Sequence, residues 1–263
     1  AAEELGVESS LIVVRGVDTD VSPFDAGSYA SSGTYVTGLA AKNAATELRE
    51  KICAKAAQMW DVDAADVVFD GQYVRLSDER AAREQNRYLT LRDFANLCVK
   101  NIAGGDALTS HASACLPVSP PPFMAGIAEV EVDKATCKVT VVDYAAAVDC
   151  GTVINEALAR VQAEGGIAQG IGHALYEIVE HDERGRLRTG NFMSYKLPTR
   201  LDIGSIRVAF EPSYEPTGPF GAKSIGEVVI NTPLAAVASA VAHATGHQVR
   251  SLPITPEKAL LGE

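Results

Sequence analysis

One stretch of the chain decides the fold class: Gly126-Ile127-Ala128-Glu129-Val130-Glu131-Val132, then Asp133-Lys134-Ala135-Thr136, then Lys138 to Ala145. Apolar and polar residues alternate on both sides of the central tetrapeptide, and a period of two is typical of half-buried strands. The tetrapeptide itself is polar, as turns usually are. The pattern therefore predicts an antiparallel β-hairpin.

Further strands are predicted on both sides of this hairpin. Val67-Val68-Phe69 and Tyr73-Val74-Arg75-Leu76 flank the turn signal Asp70-Gly71-Gln72, which predicts a second hairpin. Leu11 to Arg15 is rich in β-branched residues and predicts a short strand, and Ser205 to Phe210 alternates like another.

Long Ala-rich helices separate these strands. Apolar residues recur at helical spacing over Val36–Trp60, and Thr90 is the predicted cap of a helix that runs through Ile102. The later part of Asp149–Glu177 predicts a third helix. Asn231 or Thr232 is expected to cap a fourth over Pro233–Thr245. Because hairpins and helices alternate irregularly, we expect an α+β fold with mixed, hairpin-rich sheets.

The composition is that of a globular protein with an acidic balance. The 263 residues are 47% hydrophobic, and 34 acidic against 23 basic residues give a formal net charge of −11. Phosphate recognition needs clustered Lys and Arg, so the charge argues against nucleic acid or an anionic membrane surface as a partner. No run of 18 apolar residues occurs, which predicts that no segment spans a membrane.

The cysteines are odd in number and widely spaced, without a C-x-x-C pair: Cys53, Cys98, Cys115, Cys137 and Cys150. This pattern argues against a disulfide framework and against a zinc or iron–sulfur site within the chain. Reduced thiols favour a cytoplasmic protein.

A glycine-rich loop ends on a carboxylate in Gly218-Pro219-Phe220-Gly221-Ala222-Lys223-Ser224-Ile225-Gly226-Glu227. Glycines let a backbone approach a ligand closely, and Glu227 stands just ahead of the predicted fourth helix. This placement indicates a catalytic base held over a cofactor. The alternative is a carboxylate that only stabilises the helix N-terminus.

Two other segments combine small residues with polar groups. Pro23 to Thr34 offers hydroxyls and backbone N–H groups ahead of a helix, which suits an anion, although surface loops have the same composition. Gln162 and Gln169 lie two helical turns apart, so they would share a face and could bridge the donors and acceptors of a heterocycle. The glycines around them would equally permit close helix packing: Gly165, Gly166, Gly170 and Gly172.

Together these segments resemble the molybdenum hydroxylase family of xanthine dehydrogenases, aldehyde oxidoreductases and nicotinate dehydrogenase. Gly221 to Glu227 is similar to its active-site loop, Asp149 to Gly172 to its pterin-contacting helix, and Asp25 to Ser32 to its serine-rich cofactor loop. Two positions depart from the family pattern, Glu156 in place of Pro and Val161 in place of Gly, and neither removes a chemical group.

The resemblance implies a molybdopterin-binding domain of the xanthine dehydrogenase type, with Glu227 as the catalytic base. We expect two α+β lobes, residues 1–110 with the serine-rich loop and residues 111–263 with the pterin helix and the Glu227 loop. No residue is expected to ligate the metal directly. The cofactor-binding residues implied are Gly27, Ser28, Ala30, Ser31, Gln162, Gln169, Lys223, Ser224 and Gly226.

The resemblance also implies a function, which is hydroxylation of an electron-poor carbon in an N-heterocycle or an aldehyde with oxygen from water. The cofactor would be molybdopterin with molybdenum, in its cytosine dinucleotide form, and iron–sulfur clusters and FAD would lie on partner subunits. The family's large subunit has an earlier half that nothing here matches. We therefore expect the C-terminal part of that subunit, or a separate medium subunit, in a cytoplasmic hetero-oligomer.

Two alternatives remain at this level. The chain could be a non-catalytic cofactor-binding or scaffold domain of such a complex, or an unrelated nucleotide-binding module. Pterin content distinguishes the nucleotide-binding module from the other two, and loss of activity on changing Glu227 distinguishes the enzyme from the scaffold.

Overall fold

The computed structural model describes residues 1–16, 18–100, 107–115 and 118–262. The chain forms two compact units, Ala1–Gly27 with Val36–Pro117 and Ser28–Tyr35 with Val118–Glu263. The serine-rich loop is thereby divided, because Gly27 belongs to the first unit and Ser28 to the second. The predicted lobes assign that whole loop to residues 1–110, so the placement of Ser28–Tyr35 differs from the prediction.

The first unit combines helices with a three-stranded antiparallel sheet, whose central strand is the second in sequence. Ile52, Phe69, Val74 and Phe94 are among the buried residues of its core. Its elements are α1 (Ala2–Leu5), α2 (Gly33–Trp60, which begins in the other unit), β1 (Val67–Phe69), β2 (Tyr73–Leu76), α3 (Glu79–Glu84), β3 (Tyr88–Thr90) and α4 (Leu91–Val99).

The hairpin and the helix cap predicted for this unit are confirmed. β1 pairs antiparallel with β2, and Asp70 Oδ1 accepts hydrogen bonds from the backbone N–H groups of Gln72 and Tyr73 in the turn. Thr90 Oγ1 accepts from Asp93 N at 3.1 Å and caps α4. The helix is described as far as Val99, and its predicted end at Ile102 lies outside the described residues.

The strand predicted over Leu11–Arg15 is wrong. A 3-10 turn occupies Ser9–Leu11, and the chain that follows has no regular structure as far as it is described. Val13 and Val14 are 79% and 82% exposed. β-branched residues favour a strand only where a partner strand and a packing surface exist, and this segment has neither among the described residues.

The second unit packs helices against a three-stranded mixed sheet. β5 pairs antiparallel with β4 and parallel with β6, so the strand order is β4–β5–β6. Tyr144, Val148, Ile167, Ile171 and Val237 are buried in one core. The elements are β4 (Phe123–Val132), β5 (Val139–Asp149), α5 (Glu156–Leu175), β6 (Ser205–Phe210), α6 (Val228–Thr245) and α7 (Pro256–Leu261).

The hairpin that decides the fold class is confirmed as β4 and β5. Asp133 Oδ1 accepts hydrogen bonds from the backbone N–H groups of Ala135 and Thr136, at 3.0 and 2.7 Å, and these bonds fix the turn. Exposed and less exposed residues alternate along β4, as the sequence pattern predicts.

Two glycines of α5 allow it to pack closely on α6. A Cβ on Gly166 would overlap the side chain of Val229, and a Cβ on Gly170 would lie 2.8 Å from Pro233 Cβ. A Cβ on Gly165 would meet no atom within 4 Å. Close helix packing, the alternative explanation for this glycine cluster, is therefore confirmed at Gly166 and Gly170.

The start of α6 corrects the sequence analysis. The predicted helix begins at Pro233, but the observed one begins at Val228, with Glu227 in the N-cap position and Pro233 inside. Proline lacks the N–H group that would bond to the carbonyl of Val229. Both Val229 and Pro233 are fully buried against α5, and this burial offsets the missing hydrogen bond. Gly246, with φ 78°, ends the helix as predicted.

By length and hydropathy alone, α6 is the one helix in the described part of the chain that could cross a membrane. It packs against α5 and β4, and core helices of globular domains share its composition. The absence of a membrane span therefore stays a prediction.

Candidate functional site

A cleft of about 450 Å³ opens in the second unit at the N-terminal end of α5. Three segments that are distant in sequence form its walls: the loop before α2, the segment from the end of β5 into α5, and the glycine-rich loop before α6. Five of the predicted cofactor residues line it, namely Ser28, Ser31, Gln162, Lys223 and Gly226.

The three walls meet at Gly226. A Cβ on Gly226 would stand 2.8 Å from Ser31 Oγ and 3.3 Å from Gln162 Nε2, so a larger residue would displace one of these side chains. A hydroxyl, an amide and a bare stretch of backbone therefore surround one point of the cleft. Such a group of donors and acceptors can bind a polar heterocycle.

The first turns of α5 form one wall of the cleft. Asn155 Oδ1 accepts a hydrogen bond from Leu158 N at 3.0 Å and caps the helix. Leu158, Ala159 and Gln162 follow at helical spacing, and all three line the cleft. Gln169 lies two turns further on, about 10 Å along the axis. Its side chain is exposed and does not line the cleft.

The serine-rich loop holds two consecutive residues in the left-handed backbone region. Ala30 has φ 51° and Ser31 has φ 55°, a conformation that costs a non-glycine residue about 1–3 kcal/mol. Ser31 lines the cleft, whereas Ala30 is exposed and does not. Ser28 Oγ accepts a hydrogen bond from Gly33 N at 3.0 Å, which ties the loop to the start of α2.

The ammonium group of Lys223 is directed at a carboxylate. Its Nζ donates to Asp149 Oδ2 at 2.6 Å and to the carbonyl oxygen of Pro121 at 3.3 Å, and lies 5.4 Å from the centre of the Phe123 ring. The side chain is only 8% exposed. Lys223 thus lines the cleft, and its charge is balanced by Asp149.

Asp149 is bonded on both of its oxygens. Oδ1 accepts from Ser213 Oγ at 2.6 Å and from Gly151 N at 2.9 Å, while Oδ2 accepts from Lys223. Burial favours the neutral acid, but the hydrogen bonds from Lys223, Ser213 and Gly151 outweigh it and lower the pKa of Asp149 below its ordinary value. The residue is therefore a carboxylate at neutral pH.

Two backbone hydrogen bonds join the same walls. Lys223 N donates to the carbonyl oxygen of Cys150 at 2.8 Å, and Thr152 N donates to that of Gly221 at 2.9 Å. Gly151 lies between these bonds with φ 72°, and a Cβ there would overlap the Gly221 carbonyl. Glycine is required at this position for both reasons.

The remaining predicted residues lie outside the cleft lining. Glu227 follows Gly226 directly, and its side chain is exposed and makes no capping hydrogen bond to α6. Ser224 is half-buried and does not line the cleft either. Gly27, in the first unit, has φ 105° and donates from its backbone N to Asp25 Oδ1 at 2.7 Å.

Sequence reasoning missed the wall residues Leu158 and Ala159, and also Asp149, which does not line the cleft but pairs with the wall residue Lys223. The helical positions three and four residues before Gln162 would have identified Ala159 and Leu158. No sequence signal pairs Asp149 with Lys223, which lies 74 positions away.

Comparison with protein families gives a match to the molybdopterin cofactor-binding domain over residues 1–204. The xanthine dehydrogenase molybdenum-binding subunit of Escherichia coli O157:H7 is 36% identical over 259 residues, which is 98% of this chain and 34% of the relative. The 6-hydroxypseudooxynicotine dehydrogenase complex subunit gamma of Paenarthrobacter nicotinovorans is 30% identical over 269 residues, or 98% and 32%. The chain spans about a third of the length of these curated relatives.

Solved structures show the same likeness. Quinoline 2-oxidoreductase from Pseudomonas putida 86 superposes with a TM-score of 0.81 at 29% identity, over 98% of this chain and 33% of that one. Reconstituted CO dehydrogenase from Oligotropha carboxidovorans, at 24% identity and a TM-score of 0.83, shares the fold over 98% of this chain and 32% of its own. The predicted α+β fold class is confirmed by these matches.

Proposed function

The chain belongs to the molybdopterin cofactor-binding domain family, and on this premise we propose that the cleft of the second unit binds the pterin of a molybdenum hydroxylase. The whole protein would hydroxylate an electron-poor carbon, in an N-heterocycle or an aldehyde, with oxygen from water. The observation that carries the proposal is the meeting of Ser31, Gln162 and Gly226 at one point of the cleft.

The residues of the cleft fit a pterin that carries a phosphate. The Gln162 amide and the Ser31 hydroxyl provide donors and acceptors for a flat heterocycle. The absence of a Cβ at Gly226 lets the Ser31 and Gln162 side chains approach the backbone closely, and a Cβ there would displace them. The first turn of α5, capped by Asn155, presents backbone N–H groups and the positive end of a helix dipole, which favour an anionic group.

When bound, the molybdenum group would supply the oxidation and the water-derived oxygen. We assign Glu227 the proton transfer, with a carboxylate oxygen as the acceptor. A general base must reach the proton it removes, and Glu227 is joined directly to Gly226, which lines the cleft. The absence of a capping hydrogen bond to α6 supports a role other than closing that helix.

We further propose that the chain works in a cytoplasmic hetero-oligomer, with the cofactor in its cytosine dinucleotide form. Partner chains would supply the rest of the molybdopterin subunit, the iron–sulfur clusters and FAD. Relatives that are themselves a molybdenum-binding subunit and a subunit of a dehydrogenase complex support this assembly. The five cysteines are free thiols, which fits a reducing compartment.

The test is the variant Glu227→Gln in the natively isolated complex, with Glu257→Gln as its matched control. Glu257 is also an exposed carboxylate at a helix N-terminus, in the first turn of α7. Molybdenum content, pterin content and turnover of N-heterocycles and aldehydes are measured in both variants. We expect Glu227→Gln to lower turnover by about 100-fold or more with unchanged cofactor content, and Glu257→Gln to change neither.

Full turnover in the Glu227→Gln variant would remove Glu227 as the base. That result would favour the alternative in which this chain only holds the cofactor. The exposure of Glu227, outside the cleft lining, is consistent with that alternative. A wild-type complex without molybdenum and pterin would overturn the proposed function itself.

A further inference from the structure

The ion pair between Lys223 and Asp149 lies where two walls of the cleft are joined. Asp149 is the last residue of β5, and the chain continues from it through Thr152 to Asn155 along one wall. Lys223 belongs to the other wall, three residues before Gly226. The side chains are 8% and 20% exposed, with a distance of 2.6 Å between Nζ and Oδ2.

The hydrogen bonds of this pair reach further segments. The carboxylate also accepts from Gly151 N and Ser213 Oγ, and the ammonium group also donates to the Pro121 carbonyl. Moving the two side chains apart would break these hydrogen bonds and leave buried charges without compensation. The pair favours the one geometry in which all of the bonds are made. The pair therefore restrains the distance between the segment that leads into α5 and the glycine-rich loop.

We propose that Lys223 and Asp149 are positioning residues, which set the spacing of the two walls and thereby bring Gln162 and Gly226 together at the ligand. The identity of that ligand as a pterin rests on the proposed function. The role assigned to Lys223 is not direct contact with an anionic group of the cofactor, because its ammonium group is held by Asp149 and the Pro121 carbonyl.

Direct contact and positioning predict different results for Asp149→Asn. If Lys223 bound the cofactor through its charge, removal of Asp149 would leave the cation available, and the cofactor would be retained as well or better. If the pair positions the walls, Asp149→Asn and Lys223→Met weaken cofactor retention alike.

The ion pair between Arg207 and Asp143 is the matched control. It links β5 to β6, and the Asp143 side chain is 20% exposed, as is that of Asp149, although Arg207 is 69% exposed where Lys223 is 8% exposed. Neither Arg207 nor Asp143 lines the cleft. The control variant combines Arg207→Met with Asp143→Asn.

The experiment compares natively isolated complexes that carry Lys223→Met, Asp149→Asn, both substitutions, or the control pair. Two quantities are measured: the rate of pterin loss after dilution, and amide hydrogen exchange in residues 150–155, 221–226 and 144–148. We expect pterin loss at least ten-fold faster in both single variants and in the double variant, with the double variant no faster than the singles. Exchange should rise in the first two segments, stay unchanged in the third, and match wild type throughout in the control.

Wild-type retention and wild-type exchange in the double variant would overturn the proposal. Loss of pterin in Lys223→Met but not in Asp149→Asn would overturn it in favour of direct contact. The double variant leaves no unpaired buried charge, so it tests the positioning role even if a single variant does not fold. A wild-type complex without pterin would overturn the proposed function. The exchange measurement would still show whether the ion pair holds the two walls in position.

Discussion

Gly226 and Ser31 stand so close together that a Cβ on Gly226 would lie 2.8 Å from Ser31 Oγ. The first residue is the last glycine of the glycine-rich loop and the second ends the turn before α2, yet both belong to one compact unit. Gln162 of α5 reaches the same point. Three segments with separate sequence signals therefore form a single site.

Two adjacent glycines of α5 should respond oppositely to alanine. Gly166→Ala places a Cβ in the space of the fully buried Val229, and such overpacking costs about 1–3 kcal/mol of stability. Gly165→Ala meets no atom and gains up to about 1 kcal/mol from helix propensity. Urea unfolding of both variants checks the sign. Equal effects would contradict the close packing of α5 on α6.

The cap of α5 should matter to the cofactor as well as to the helix. Asn155→Ala removes the hydrogen bond from Leu158 N and should cost about 0.5–2 kcal/mol of stability. Because this turn lines the cleft, we also expect faster pterin loss. Thr255→Ala, which removes the cap of α7 at Lys258 N, should cost similar stability without that loss. Equal pterin retention in the two variants would argue against α5 as a cofactor wall.

The stability that Asp149 contributes should depend on pH in one direction. Its pKa is lowered in the folded protein from an ordinary value of 3.8, so its contribution is fully present well above that pH and is lost as the pH falls through the lowered pKa. We expect wild type to exceed Asp149→Asn by about 3–5 kcal/mol between pH 5 and 7. The difference should shrink below about pH 4. Denaturant titrations from pH 3 to 7 measure it, and a difference that grows on acidification would contradict the assignment.

Periodicity in the sequence predicts most of the elements, because alternation and helical spacing are local properties. The hairpin of β4 and β5 and the long helix α2 are examples. The sequence pattern places the start of α6 five residues too late, at Pro233, because Pro233 resembles a first-turn proline. Only the packing of Gly170 against it, which is a contact between distant segments, explains its place inside the helix.

The candidate site could be predicted segment by segment but not as a geometry. The serine-rich pattern identifies Ser31 and the glycine-rich pattern identifies Gly226. Neither pattern predicts that the two residues lie close together in the fold. The family resemblance implies that Lys223 binds the cofactor. Its burial beside Asp149 depends on the β5 end meeting the loop, and single-sequence patterns do not contain that information.

The most direct test of the site is the molybdenum and pterin content of a Gly226→Ala complex, isolated natively beside wild type and Gly165→Ala. The added methyl group would occupy the point where Ser31 and Gln162 meet, without a positive φ to strain the backbone. We predict an unchanged unfolding midpoint and at least a ten-fold loss of both molybdenum and pterin in Gly226→Ala, with full content in Gly165→Ala. A Gly226→Ala complex as fully loaded as wild type would contradict the placement of the pterin in this cleft.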